Sequence, residues 1–98
     1  MKAVRLLAIE HQQVLPAEAG SSSDYDVRVL VDVEGQQSWH KIRVQPRIIG
    51  GYDANLLVAS QELLDLFRDQ QTTVHRICKL VGEELRGAAV RVPQQIAA

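Results

Sequence analysis

Between Val27 and Val44 an apolar residue falls at nearly every second position. Val27, Val29, Val31 and Val33 alternate with Arg28, Leu30 and Asp32, and after Gly35-Gln36-Gln37 the run Ser38 to Val44 alternates again. Successive side chains of a strand point to opposite faces, so this period places the valines together on one face of a sheet. The stretch therefore predicts a β-hairpin, with strands over 26–34 and 38–45. A lone hairpin is marginal in water, so the rest of the chain must cover the valine face.

The second half supplies a cover. Leu63, Leu64, Phe67, Val74, Ile77, Cys78, Val81 and Leu85 follow helical spacing, with polar residues between them. Gln70-Gln71-Thr72-Thr73 interrupts the stripe, and threonine favours caps and turns over helix interiors. Two helices are expected, over 56–70 and 73–86, with one continuous rod as the rival. The start is ambiguous: Leu56-Leu57-Val58-Ala59 reads as helix, or as a short strand followed by a helix capped at Ser60. The helix reading is preferred. Gly87 stops the second helix, as glycine does just past a helix end.

Residues 3–9 read as a first strand, and Ala88 to Val92 as a last one closed by Pro93. Pro46, which has no N–H to donate, is expected to end the second hairpin strand. The Pro, Gly and Ser-rich segment 15–24 is expected to be a flexible loop, and 94–98 a frayed tail. The expected fold is α+β: an antiparallel sheet of three to four strands around the central hairpin. Two C-terminal helices pack on one face, and a short strand lies at 88–92. Val27, Val29, Val31, Val33, Ile42 and Val44 would meet Leu63, Phe67, Ile77 and Val81. At 98 residues, 46% of them apolar, the chain suits a single domain over 1–98.

Formal net charge is −1, which removes the simplest electrostatic case for nucleic acid or an anionic membrane. A single cysteine, Cys78, allows no intrachain disulfide. No stretch has the roughly 20 apolar residues a membrane-crossing helix needs. A cytoplasmic location is expected.

Motifs for chemistry are absent. His11, His40 and His75 share no metal-ligand spacing with one another or with Cys78, so no metal and no cofactor are expected. His75 lies three residues before Cys78, but a cysteine on an apolar helical face packs as a small hydrophobe. Gly50-Gly51 ahead of a helix lacks the rest of a phosphate-binding motif. Glu62, Asp65 and Asp69 read as a solvated helix face. No catalytic residue is assigned, and the chain is not expected to be an enzyme.

What remains is a surface. If the valines face inward, Arg28, Trp39, Lys41 and Arg43 face outward with Arg47 just beyond. Residues 27–52 hold four basic and two acidic residues, whereas 53–70 hold one basic and four acidic. A Trp among cations suits a protein interface, above all contact with a second copy of the chain. The expected role is a small accessory or regulatory interaction module, homodimeric, with another protein as the other possible partner and no membrane. The alternative is weak nucleic-acid binding through the same five residues, with bases stacking on Trp39.

Overall fold

A computed structural model describes residues 2–11 and 24–97. It is a curled antiparallel sheet with two helices, in the order β1 (Val4–His11), β2 (Tyr25–Val33), β3 (Gln36–Ile49), β4 (Tyr52–Ala59), α1 (Gln61–Leu66), α2 (Gln71–Leu85) and β5 (Gln94–Ala97). The strands lie side by side as β4-β3-β2-β1-β5. The expected loop at 15–24 falls outside the described residues except for Asp24.

The central hairpin follows the valine pattern. Val33 pairs with Gln36 and Tyr25 with Val44, across a two-residue turn of Glu34 and Gly35. Both turn residues have positive φ, 50° and 90°. This is the turn whose twist matches a hairpin, and it favours glycine at its second position. The Asp32 carboxylate accepts the Gly35 N–H at 2.8 Å and holds the corner. Val27, Val29, Val31, Ile42 and Val44 are fully buried in one cluster with Val4, Leu6, Leu63, Phe67, Val74, Ile77, Val81 and Ile96. Val33 packs at its margin.

Pro46 does not end β3, which continues to Ile49. The reason lies in the backbone. In an antiparallel ladder, opposed residues alternate between pairs that exchange hydrogen bonds and pairs that do not. The Ser60 N–H donates to the Lys41 carbonyl at 3.0 Å. From there, odd residues of β3 turn their backbone groups towards β4 and even residues turn theirs towards β2. Pro46 is even, pairs with Asn55, and lies beyond Val44, the last β3 residue paired with β2. Its missing N–H breaks no bond to β4.

Gly50-Gly51 accordingly does not precede a helix, and residues 56–59 are not helical. Gly50 and Gly51, with φ of 59° and 83°, form a second two-residue hairpin turn, and β4 runs back along β3 to Ala59. Leu56-Leu57-Val58-Ala59 carries no decisive period. Pairing with the extended β3 decides its state. The alternative start then holds: Ser60 Oγ accepts the Leu63 N–H at 3.2 Å and opens α1.

The helices are two, separated at 67–70. After α2 the Ala88 N–H bonds the Glu83 carbonyl and the Gly87 N–H that of Glu84, both at 3.0 Å, with Gly87 at φ 89°. That is the glycine-terminated cap in which both orphan carbonyls find donors. The last strand is not 88–92 but Gln94–Ala97, within the expected frayed tail. It pairs with β1, buries Ile96, and receives Arg76 Nη1 on the Ile96 carbonyl at 2.8 Å. The alternating Val90 and Val92 never reach the β1 edge, and Val92 stays exposed.

Replacing Val31 by Asp places a carboxylate at the centre of the cluster, at a cost of several kcal/mol, and should abolish the cooperative thermal transition. An unmoved transition would contradict the facing of β2. Ser60→Ala should lower stability by about 1 kcal/mol in a denaturant titration, the usual loss for an N-cap.

Candidate functional site

The five residues of the expected surface divide unequally. Trp39 is 40% exposed on the outward face, opposite Leu30 and diagonal to Arg28. The Arg28 guanidinium lies 4.5 Å from the centroid of the Trp39 ring, a cation–π stack. Arg28 also bonds Glu10, its partner on β1, at 3.2 Å. That contact depends on a bulge in β1: Leu6 pairs with Val31 but Ala8 with Leu30, so Leu7 is extra and Glu10 comes to face outward.

Arg43 pairs with Asp26 directly across the ladder at 3.5 Å, and Arg47 with Asp24 at 3.0 Å. Arg47 also donates to the Pro46 carbonyl. Of the expected basic set, Lys41 alone makes no ion pair among the described residues. The patch that looks basic along the sequence is therefore largely neutralised by carboxylates on neighbouring strands. Each exposed pair contributes little to stability, but together they cancel the local field.

The fold adds what the helix reading of 56–59 concealed. Outward positions of β4 are Tyr52, Ala54, Leu56 and Val58, every one apolar. Tyr52 is 79% exposed, and Ile49, Leu56 and Val58 are also exposed. Ile48, on the opposite face of the same hairpin tip, is 77% exposed. The signal was present as two β-prone runs flanking Gly-Gly, a hairpin signature.

A second feature lies beside β4. A groove of about 580 Å³ runs between β4 and α2, lined by Asp53 to Leu57 on the strand and by His75, Cys78, Lys79, Gly82 and Arg86 on the helix. Gly82 lies in the last turn of α2, still within the helix, where glycine costs up to about 1 kcal/mol relative to alanine. A Cβ there would meet Leu57 Cδ1 at 3.6 Å, an ordinary contact, so crowding does not demand the glycine. Its effect is an open groove floor.

Cys78 shares this groove with His75, but burial pushes its thiol pKa up, the wrong direction for a nucleophilic thiolate. Gly50-Gly51 leads into a strand and presents no helix terminus to a phosphate. Glu62, Asp65 and Asp69 are exposed. Asp65 accepts from Gln61 and Arg68, and those bonds lower its pKa. Among the described residues no three His, Cys, Asp or Glu side chains gather as a metal site. No helix among them is long and apolar enough to cross a membrane.

His40 is more buried than its place beside Trp39 and the turn implies, at 8% exposure on the core-facing side. Its Nε2 lies 2.7 Å from Ser38 Oγ, and its Nδ1 is buried with no hydrogen-bond partner. Burial lowers its pKa, and the Glu62 carboxylate opposes this more weakly.

No protein-family profile matches this chain, and no match was found among curated proteins or solved structures.

Because the folded state holds His40 neutral, protonation favours unfolding. The stability this represents is fully present above the ordinary histidine pKa of 6.5 and is lost as pH falls through the lower folded value. The melting temperature should fall below pH 6.5 more steeply for the wild type than for His40→Gln. Parallel profiles would show that another group controls the acid limb.

Proposed function

We propose that this chain is a small, cytoplasmic, non-enzymatic interaction module. Its two helices cover one face of the sheet, and the outward face of the β3–β4 hairpin packs against a second copy. The observation that carries the reading is the continuous apolar row Tyr52, Ala54, Leu56 and Val58, flanked by Ile49 on β3. Tyr52, Ile49, Val58 and Leu56 are 79%, 54%, 50% and 44% exposed, an apolar stretch of the kind that marks an interaction site. That suits the apolar centre of an interface burying roughly 800 Å² per partner.

The charge pattern favours self-association over nucleic acid. An isologous contact brings each patch against its own copy. Arg28, Arg43 and Arg47 are paired within the chain, so Lys41 alone adds cation repulsion between two copies. Phosphate binding would require breaking those same pairs, and one stacked tryptophan is a small platform for bases.

Sedimentation equilibrium at micromolar concentration should give twice the mass of the chain, nearly unchanged between low and high salt. Tyr52→Asp should shift the protein to monomer with its thermal transition retained, since Tyr52 is almost fully exposed. A wild-type monomer at the highest soluble concentration would overturn the reading, as would a Tyr52→Asp variant that dimerises undiminished.

A further inference from the structure

We propose that the groove between the open edge of β4 and α2 binds an extended, acidic segment of a partner protein, which adds to the sheet as a sixth strand. This surface shares Ala54 and Leu56 with the outward row of β4 but not Tyr52 or Val58, and it adds α2. The row projects out of the sheet plane, whereas the groove opens beside the strand.

Three observations converge. First, among the described residues β4 is an edge strand. The pairing that turns its even residues towards β3 leaves the backbone N–H and C=O groups of Asp53, Asn55 and Leu57 directed away from the sheet. Unpaired groups in a row are a template for another strand. Second, the groove has the parts of a strand-addition site. Main-chain bonds supply affinity, and a pocket for alternate side chains supplies selectivity. Leu57 and Cys78, both packed against the core, form an apolar floor, and Gly82 leaves room above it. An added strand would direct every second side chain into this space.

Third, Lys79 and Arg86 make the wall cationic. His75, Lys79 and Arg86 recur at positions i, i+4 and i+11 of the helical stretch, with Gly82 between, so they share one side of α2. All three are exposed, and none makes an ion pair among the described residues. Asp53, at one end, is the single acid in the lining. This contrasts with the outward face, where the arginines are matched by carboxylates. Here the unmatched charge belongs to the ligand. A peptide backbone satisfies both the edge amides and carbonyls, whereas a phosphate polymer would leave the carbonyls without donors.

The test uses the full chain carrying Tyr52→Asp, so that failure of the proposed self-association cannot be mistaken for failure here. The probe is a fluorescein-labelled eight-residue peptide alternating valine and glutamate, read by anisotropy. Controls are its lysine counterpart, a copy N-methylated at alternate amides, and a labelled oligothymidylate. The glutamate peptide should bind at submillimolar concentration and weaken with salt. Amide shifts should be confined to 53–57 and 75–86. The lysine and N-methylated peptides should bind at least tenfold more weakly. Lys79→Glu with Arg86→Gln should cost at least tenfold, and Gly82→Met, which fills the groove, should abolish binding while circular dichroism stays unchanged. No binding of the glutamate peptide, equal binding of glutamate and lysine peptides, or indifference to N-methylation would overturn the proposal. Oligothymidylate bound more tightly than the peptide would assign the cationic wall to nucleic acid instead.

Discussion

The structure depends on the way β3 divides its backbone between two neighbours. Its even residues bond to β2 and its odd residues to β4, while the same alternation sends even side chains to the core and odd ones outward. One register therefore decides several things at once. Ile42 and Val44 become core, and Trp39, Lys41 and Arg43 become surface. Proline becomes tolerable at residue 46, and the free backbone groups of β4 fall on Asp53, Asn55 and Leu57. A slip of one residue would exchange the faces and put Lys41 and Arg43 into the valine cluster. The valines of β2 resist that slip because they have no other place to be buried.

That coupling explains what the sequence makes legible and what it hides. The valine run of β2 states its own period, and Leu63, Phe67, Ile77 and Val81 state theirs. Their residence in one cluster follows from local pattern alone. The turn at Glu34-Gly35, the cap at Ser60 and the stop at Gly87 are likewise local, set by a positive φ or by one side-chain acceptor. By contrast, Leu56-Leu57-Val58-Ala59 satisfies a helix and a strand equally. Its state is fixed by an extension of β3 that Pro46 obscures. The final strand is hidden for a related reason. Val90 and Val92 alternate as a strand should, yet the free edge of β1 and the Arg76 guanidinium capture Gln94–Ala97 instead.

The candidate surface shows the same limit in electrostatic form. Counting charges along 27–52 gives a basic segment, and the exposure of Trp39 beside Arg28 follows correctly from alternation. The neutralising groups come from elsewhere: Asp24 and Asp26 from before that window, and Glu10 from β1, facing Arg28 only because Leu7 is bulged. Field cancellation depends on register between strands, which no single segment encodes. The cations without an ion pair among the described residues emerge on α2, where Lys79 and Arg86 are too widely spaced along the sequence to form a charge run.

The two edges of the sheet are treated differently, and the difference is informative. Exposed edges invite unwanted pairing, and stable folds shorten, charge, bulge or cover them. On one side β5 is four residues long, and α2 reaches over it to bond the Ile96 carbonyl. On the other side β4 is eight residues long and apolar on its outward face. Its edge carries one acid, Asp53, near the turn, and no lysine or proline. Asn55 and Leu57, nearer the body, are unguarded, and they face a groove whose helix wall is cationic. Among the described residues the chain keeps one edge short with a bonded carbonyl and leaves the longer, stickier one open, a standing aggregation hazard. A strand added there, as proposed, would pair those free groups and remove the hazard.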